Sequence, residues 1–293
     1  LMKQYKYHLD KTSKKFNCPQ CGNKKRFVKY IETETGHYAE DQYGRCDRET
    51  SCRYNLNPMN SIVSYNYVAP TPIEPSYIDT ENLQTSLTKY EKNPLVSYLY
   101  SHYPEAEVRF IIKKYQVGTS KQFNYSTVFW QIDHTGNIRS GKIMAYDTST
   151  GKRLKDNNDK PLINWVHTAL NLTNYRLKQC LFGLHLLKES VQRIAIVESE
   201  KTALYMSLEL PQHTWMATGS LKGFKYEYLA PIINCEIIAF PDKGGYNEWD
   251  KTATALNKQG FNISVLNIIE EPQYEEGWDL IDVLQYESTN SLR

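Results

Sequence analysis

Four of the six cysteines fall within residues 18–52, as Cys18-x2-Cys21 and Cys46-x5-Cys52 with 24 residues between the pairs. No other feature restricts the fold as strongly. A Cys-x2-Cys knuckle sets two thiolates around one ion, each sulfur about 2.3 Å from the metal. Pro19 and Gly22 suit the tight turn this needs. Four thiolates select zinc and leave no open coordination position, so the expected role is structural. Free or disulfide-linked cysteines are the alternative. The second pair is wider than the usual ribbon spacing. His37, between the pairs, is either a substitute ligand or an exposed loop histidine. Cys180 and Cys235 stand alone in apolar surroundings and read as core residues.

Charge follows the same division. Residues 1–60 hold 12 Lys/Arg against 7 Asp/Glu, residues 61–187 hold 14 against 10, and residues 188–293 hold 9 against 16. A basic front suits a polyanionic partner and an acidic back suits a metal site, although solvated faces give the same asymmetry. Around the cysteines, Lys24, Lys25, Arg26, Lys29, Arg45, Arg48 and Arg53 interleave with Phe27, Tyr30, Tyr43 and Tyr54. Cations neutralise phosphates and rings stack bases, so this mixture fits nucleic acid. No apolar run reaches membrane-span length, and the lysine-rich start carries no apolar signal region. The expectation is a cytoplasmic protein without membrane contact.

Four segments follow from composition and periodicity. Residues 1–57 form a zinc-binding ribbon module. Residues 58–92, with Pro58, Pro70, Pro72 and Pro75 among many Asn, Ser and Thr, read as a linker. Residues 93–187 begin with helical spacing of Leu95, Val96, Leu99 and Tyr103, then of Val108, Ile111 and Ile112. They continue into strands over Thr127–Asp133 and Ile138–Tyr146, a small antiparallel meander. In residues 188–293 short apolar strands (Arg193–Val197, Thr214–Ala217, Ile237–Phe240, Ile263–Ile268) alternate with helices over Glu200–Leu210 and near Trp249–Gln259. That rhythm indicates a parallel α/β sheet, whose sites form at the carboxyl ends of its strands.

Acidic residues follow those strands. Glu198 comes after Val197, Asp242 after Phe240-Pro241, and Asp279 and Asp282 lie in Trp278-Asp-Leu-Ile-Asp282. Carboxylates at adjacent strand ends can converge on Mg²⁺ or Mn²⁺. Taken singly, each is also an ordinary helix cap.

These segments resemble the Toprim domain of bacterial and phage primases. Val197-Glu198-Ser-Glu200-Lys201-Thr-Ala203 looks like the first Toprim motif, and Ala217-Thr-Gly219-Ser220 like the following strand-end glycine. Phe240-Pro-Asp242-Lys-Gly244 looks like the Asp-x-Asp motif, and Trp278 to Leu284 like the closing acidic segment. Thr127–Tyr146 resembles the small sheet that precedes Toprim, and a cysteine-rich module in front completes the layout, especially that of primase-related proteins of mobile elements. Two departures stand out. The primase zinc module usually has one His and three Cys, and the second Asp of Asp-x-Asp is Gly244, which has no side chain to ligate with.

The resemblance implies an α/β protein with an N-terminal zinc ribbon, a small antiparallel-sheet subdomain and a C-terminal Toprim-like parallel domain. It implies Glu198 as metal ligand or acid–base group, Asp242 as central Mg²⁺ or Mn²⁺ ligand, and Asp279 and Asp282 as further ligands. Lys24, Lys25, Arg26, Arg45, Arg48, Arg139, Lys142, Lys201 and Lys222 are the expected contacts to single-stranded DNA and nucleotides. Lys152 and Arg153, in a turn beside them, grip template or triphosphate or are solvent-facing cations, and Trp130, Trp165 and His167 face nucleic acid or fill the core. The implied activity is primer synthesis on single-stranded DNA, with a replication helicase as a possible partner. The alternatives are a non-catalytic DNA-binding accessory and a Toprim-type nuclease.

Overall fold

A computed structural model of the chain describes residues 5–48, 50–58 and 74–290. The chain divides into two compact units, Leu1–Ile73 and Glu74–Arg293.

The first unit is an antiparallel sheet of β1 (Tyr7–Leu9), β2 (Phe27–Glu32), β3 (Gly44–Cys46) and β4 (Asn55–Leu56), paired in that order. Phe27 stands opposite Cys46. Gly44 has to be glycine, because a Cβ there would lie 2.3 Å from the Val28 carbonyl and 2.4 Å from the Phe27 ring. Among the described residues the core of this unit is Cys18, Phe27 and Cys46, with Phe16, Cys21, Cys52 and Tyr54 against it. So few apolar side chains cannot hold a sheet alone, and an ion held by the four cysteines would supply what the core lacks.

The second unit starts inside the stretch that composition assigns to a linker. Residues 59–73 of that stretch lie outside the described residues, but residues 74–92 are folded. Ile78 N–H donates to the Ile138 carbonyl at 2.8 Å. Asp79 caps α1 (Thr80–Ser86), and Leu83 buries with Ile78 against Val128 and Trp130. The Ser/Thr/Asn-rich composition conceals one cap and two apolar anchors. Asn93 then caps α2 (Pro94–Tyr100), and Pro104 separates it from α3 (Glu105–Lys114).

The strands β5 (Gly118–Ser120), β6 (Ser126–Ile132), β7 (Ile138–Met144) and β8 (Ile163–Trp165) form an antiparallel sheet in sequence order. One face packs on α1 and on α4 (Val166–Ala169) through Val128, Trp130, Ile143 and Val166. The opposite face carries Phe129 and Met144 into a larger core with α2, α3 and the parallel sheet. Trp130 is therefore a core residue, its indole N–H donating to Ser86 Oγ at 2.9 Å.

The last segment consists of β9 (Arg193–Val197), α5 (Glu200–Glu209), β10 (Thr214–Ala217), α6 (Tyr226–Leu229), β11 (Glu236–Phe240), α7 (Tyr246–Asn257), β12 (Asn262–Val265) and α8 (Leu280–Asn290). The four strands are all parallel, in the order β10-β9-β11-β12. Ala195, Val197, Trp215 and Ala217 bury on the face shared with α5 and α8, and Ile194, Ile196, Met216, Ile237 and Ala239 on the face shared with α6 and α7. Burial on both faces explains why these strands read as continuous apolar runs. Among the described residues, no helix is long and apolar enough to cross a membrane.

Candidate metal centres

The ribbon brings Cys18, Cys21, Cys46 and Cys52 together, with all four sulfurs within 4.8 Å of one another. Cys18 and Cys52 Sγ are 3.7 Å apart, and Cys21 and Cys46 Sγ 4.0 Å. Sulfurs bound tetrahedrally at the zinc–thiolate distance stand about 3.8 Å apart, so the donor set fits zinc, and these separations are far too long for disulfides. Gly22, at φ +67°, turns the knuckle, and its N–H donates to the Cys18 carbonyl at 2.9 Å. The thiols are unequal. Asn23 hydrogen bonds hold Cys21 down to about 6, while burial pushes Cys52 up to about 12. Lys24, Lys25, Arg26, Arg45 and Arg48 are all exposed around the knuckle. Arg45, Arg53, Tyr54 and Asn55 line a cavity of about 250 Å³ beside Cys46.

The second centre lies at the carboxyl ends of β9 and β11. These strands are neighbours with Val197 opposite Phe240, so Glu198 and Asp242 emerge at the same edge of the sheet. Both are partly buried. Burial, reinforced by the charges of Glu198, Asp279 and Asp282 and opposed by Arg153, pushes Asp242 up to about 8. Burial also raises Glu198, against the Leu221 N–H and the charges of Arg153 and Lys142. Among the described residues, nothing donates a hydrogen bond to the Asp242 carboxylate. The acids nevertheless do not form a closed cage. Among the described residues, only the cysteines bring three or more ligand atoms within 4.8 Å of one another.

Asp279 and Asp282 have a different first duty. Asp279 Oδ1 accepts from the Ile281 and Asp282 N–H groups at 2.9 and 3.2 Å, and its Oδ2 from Thr202 Oγ1 at 2.6 Å. Asp282 Oδ2 accepts in return from the Asp279 N–H at 2.9 Å. This is a reciprocal capping box at the start of α8. It engages both Asp279 oxygens and leaves Asp282 one free oxygen, so Asp279 acts on the field around Asp242 from a cap position. Gly244 has a backbone reason for being glycine. It sits at φ +89°, and a Cβ would lie 2.9 Å from Glu276 Oε2.

The expected basic contacts divide. Lys222 is exposed in the turn Leu221–Gly223. Lys201 is half-buried near Asp282, its Nζ 3.5 Å from the Gly151 carbonyl. Two others are held in ion pairs, Arg139 half-buried and Lys142 buried. Arg139 Nε donates to Asp133 Oδ2 at 2.7 Å, and its guanidinium lies 4.7 Å from the Tyr77 ring centroid. Lys142 donates to Glu200 and to the Gly219 carbonyl. Sequence reasoning missed Glu200. Lys142, next to Ile143 and Met144 in the strand Ile138–Met144, was the available signal, since a buried cation requires a buried partner. Arg153, expected with Lys152 as a turn cation that grips template or triphosphate, is the positive charge that acts on both Glu198 and Asp242.

Fold and thiolates define a zinc-ribbon module followed by a mixed α/β domain. The chain belongs to the family described as Domain of unknown function (DUF6371), which matches residues 93–243, and residues 5–66 match the zinc beta-ribbon finger family. Among solved structures, the chain is similar to the primase fragment of the bacteriophage T7 primase-helicase protein (15% identity, 95% of this chain and 98% of that one, TM-score 0.44). It is also similar to the E. coli primase catalytic core (14% identity, 71% and 74%, TM-score 0.46). A third similar structure holds the zinc-binding and RNA polymerase domains of the Aquifex aeolicus primase (12% identity, 98% and 79%, TM-score 0.40). No curated protein matches this chain.

Proposed function

We propose that this chain is a primase-like, Toprim-type protein that binds single-stranded DNA and joins nucleotides on it. In this reading Glu198 and Asp242 hold Mg²⁺ or Mn²⁺, and the free oxygen of Asp282 is available to a water of that ion. The observation that carries the proposal is Asp242: a partly buried carboxylate with no hydrogen bond from any described residue, pushed up to about 8 by burial and three other acids. Such a group is costly to keep unless a cation repays it. The bound cation would neutralise and polarise phosphate oxygens. Arg153 and Lys222 contact the nucleotide phosphates, Lys201 orients Asp282, and the cations around the zinc knuckle hold the template. A replication helicase and a mobile-element setting fit the same reading.

Incubation with single-stranded template, NTPs and Mg²⁺ or Mn²⁺ tests it. Short primers are expected, lost in Asp242→Asn with the fold intact. Absence of primers with either metal from folded protein overturns it. The commitment of Asp279 to a helix cap and the glycine at 244 favour a second reading, a DNA-binding accessory without turnover. That protein would bind single-stranded DNA in a salt-sensitive way and make no primers. Nicking of supercoiled plasmid would instead identify a nuclease.

A further inference from the structure

One polar connection runs from the antiparallel sheet into the acidic site. The Lys142 side chain, on β7, is 9% exposed, and that of Glu200, in the first turn of α5, is 2% exposed. Lys142 Nζ donates to Glu200 Oε1 and Oε2 at 3.1 and 3.2 Å and to the Gly219 carbonyl at 2.8 Å. The Gly219 N–H in turn donates to the Glu198 carbonyl at 2.8 Å. Gly219, just after β10, sits at φ +78°, where an added Cβ would lie 3.0 Å from Glu200 Oε1 and 3.8 Å from Lys142 Nζ. A side chain at this left-handed position would crowd the Glu200 carboxylate, and the Gly219 N–H and carbonyl are both hydrogen-bonded.

A buried ion pair is a poor way to gain stability, since apolar residues of similar volume usually do as well. An apolar pair could hold the two sheets together, but it could not donate to the Gly219 carbonyl. We propose that Lys142 and Glu200 are positioning residues. Glu200 fixes the ammonium, the ammonium fixes the Gly219 carbonyl, and the N–H of the same residue holds the backbone that carries Glu198. The small antiparallel sheet thereby sets the placement of the cation-binding acid on the neighbouring parallel sheet. This inference rests on the proposed cation site at Glu198 and Asp242.

The test uses the whole chain and separates the strut from the positioning role. Lys142→Met alone strands the Glu200 carboxylate and is expected to lower the melting temperature. Lys142→Met with Glu200→Gln removes both buried charges and is expected to bring the melting temperature back to within a few degrees of the parent. In that double variant the Gly219 amide is expected to exchange with deuterium at least tenfold faster, with Ile196 in β9 unchanged. Its affinity for Mn²⁺, followed by electron paramagnetic resonance, is expected to fall at least fivefold. A refolded double variant with parental Gly219 protection, or with faster exchange but parental Mn²⁺ affinity, overturns the proposal. If the parent protein itself binds no Mn²⁺, the cation reading falls, and unchanged Gly219 exchange would refute the positioning link independently.

Discussion

Asp242→Asn should make the metal-free protein more stable at neutral pH while destroying the site. In the folded chain Asp242 is pushed up to about 8, against 3.8 for an ordinary aspartate. Between those two values the native state holds a proton that the unfolded chain has released. Stability from this group is therefore greatest at low pH and is lost as pH rises toward 8. The loss reaches about 1.4 kcal/mol per pH unit, or up to about 3 kcal/mol between pH 5 and pH 7. For a domain of this size, 1 kcal/mol corresponds to about 2–4 °C, so the parental melting temperature should fall by up to about 10 °C more than that of Asp242→Asn over this interval. Mn²⁺ should raise the parental melting temperature at pH 7–8 and leave the variant unmoved, because a ligand of the native state stabilises by mass action. Differential scanning calorimetry at several pH values measures both effects. Parallel pH profiles for the two proteins, or a variant clearly less stable at pH 7, would refute the account of Asp242 as a strained acid.

Four further outcomes are expected. Native mass spectrometry should find one zinc per chain, lost in Cys52→Ser, and chelation should abolish the ordered ribbon signals. Zinc affinity should climb with pH, because binding must displace the proton that burial holds on Cys52 up to about 12. Asp279→Ala should cost about 1–3 kcal/mol in urea denaturation by removing the α8 cap and the Thr202 partner. Gly244→Asp, which completes the Asp-x-Asp pattern on paper, should cost about 1–3 kcal/mol through its left-handed backbone and the Glu276 contact, with no gain in Mn²⁺ affinity.

The parts of this molecule that obey a local rule were readable from the chain. Arg193–Val197 and Thr214–Ala217 are strands with the limits their apolar runs suggested, since a parallel strand buried on both faces has no polar alternation to blur it. The cysteine knuckle was readable for the same reason, being written in four residues and one glycine. Residues 74–92 were not, because α1 is held by a cap and two side chains docking on a distant sheet, contacts that composition does not encode. The acids show the same limit. Strand ends predicted that Glu198 and Asp242 share an edge, but Asp279 and Asp282 carry equally suggestive spacing and are used as a capping box. Lys142 and Arg139 look like surface cations in sequence, and only the tertiary fold reveals Glu200 and Asp133 beside them.

The most direct test of the central claim is a crystal structure of the protein soaked in Mn²⁺, with anomalous scattering measured for the metal. The account predicts one anomalous peak bounded by the carboxylates of Glu198 and Asp242, absent in Asp242→Asn. A map without density at that edge of the sheet, at Mn²⁺ concentrations that fill other sites, would contradict it.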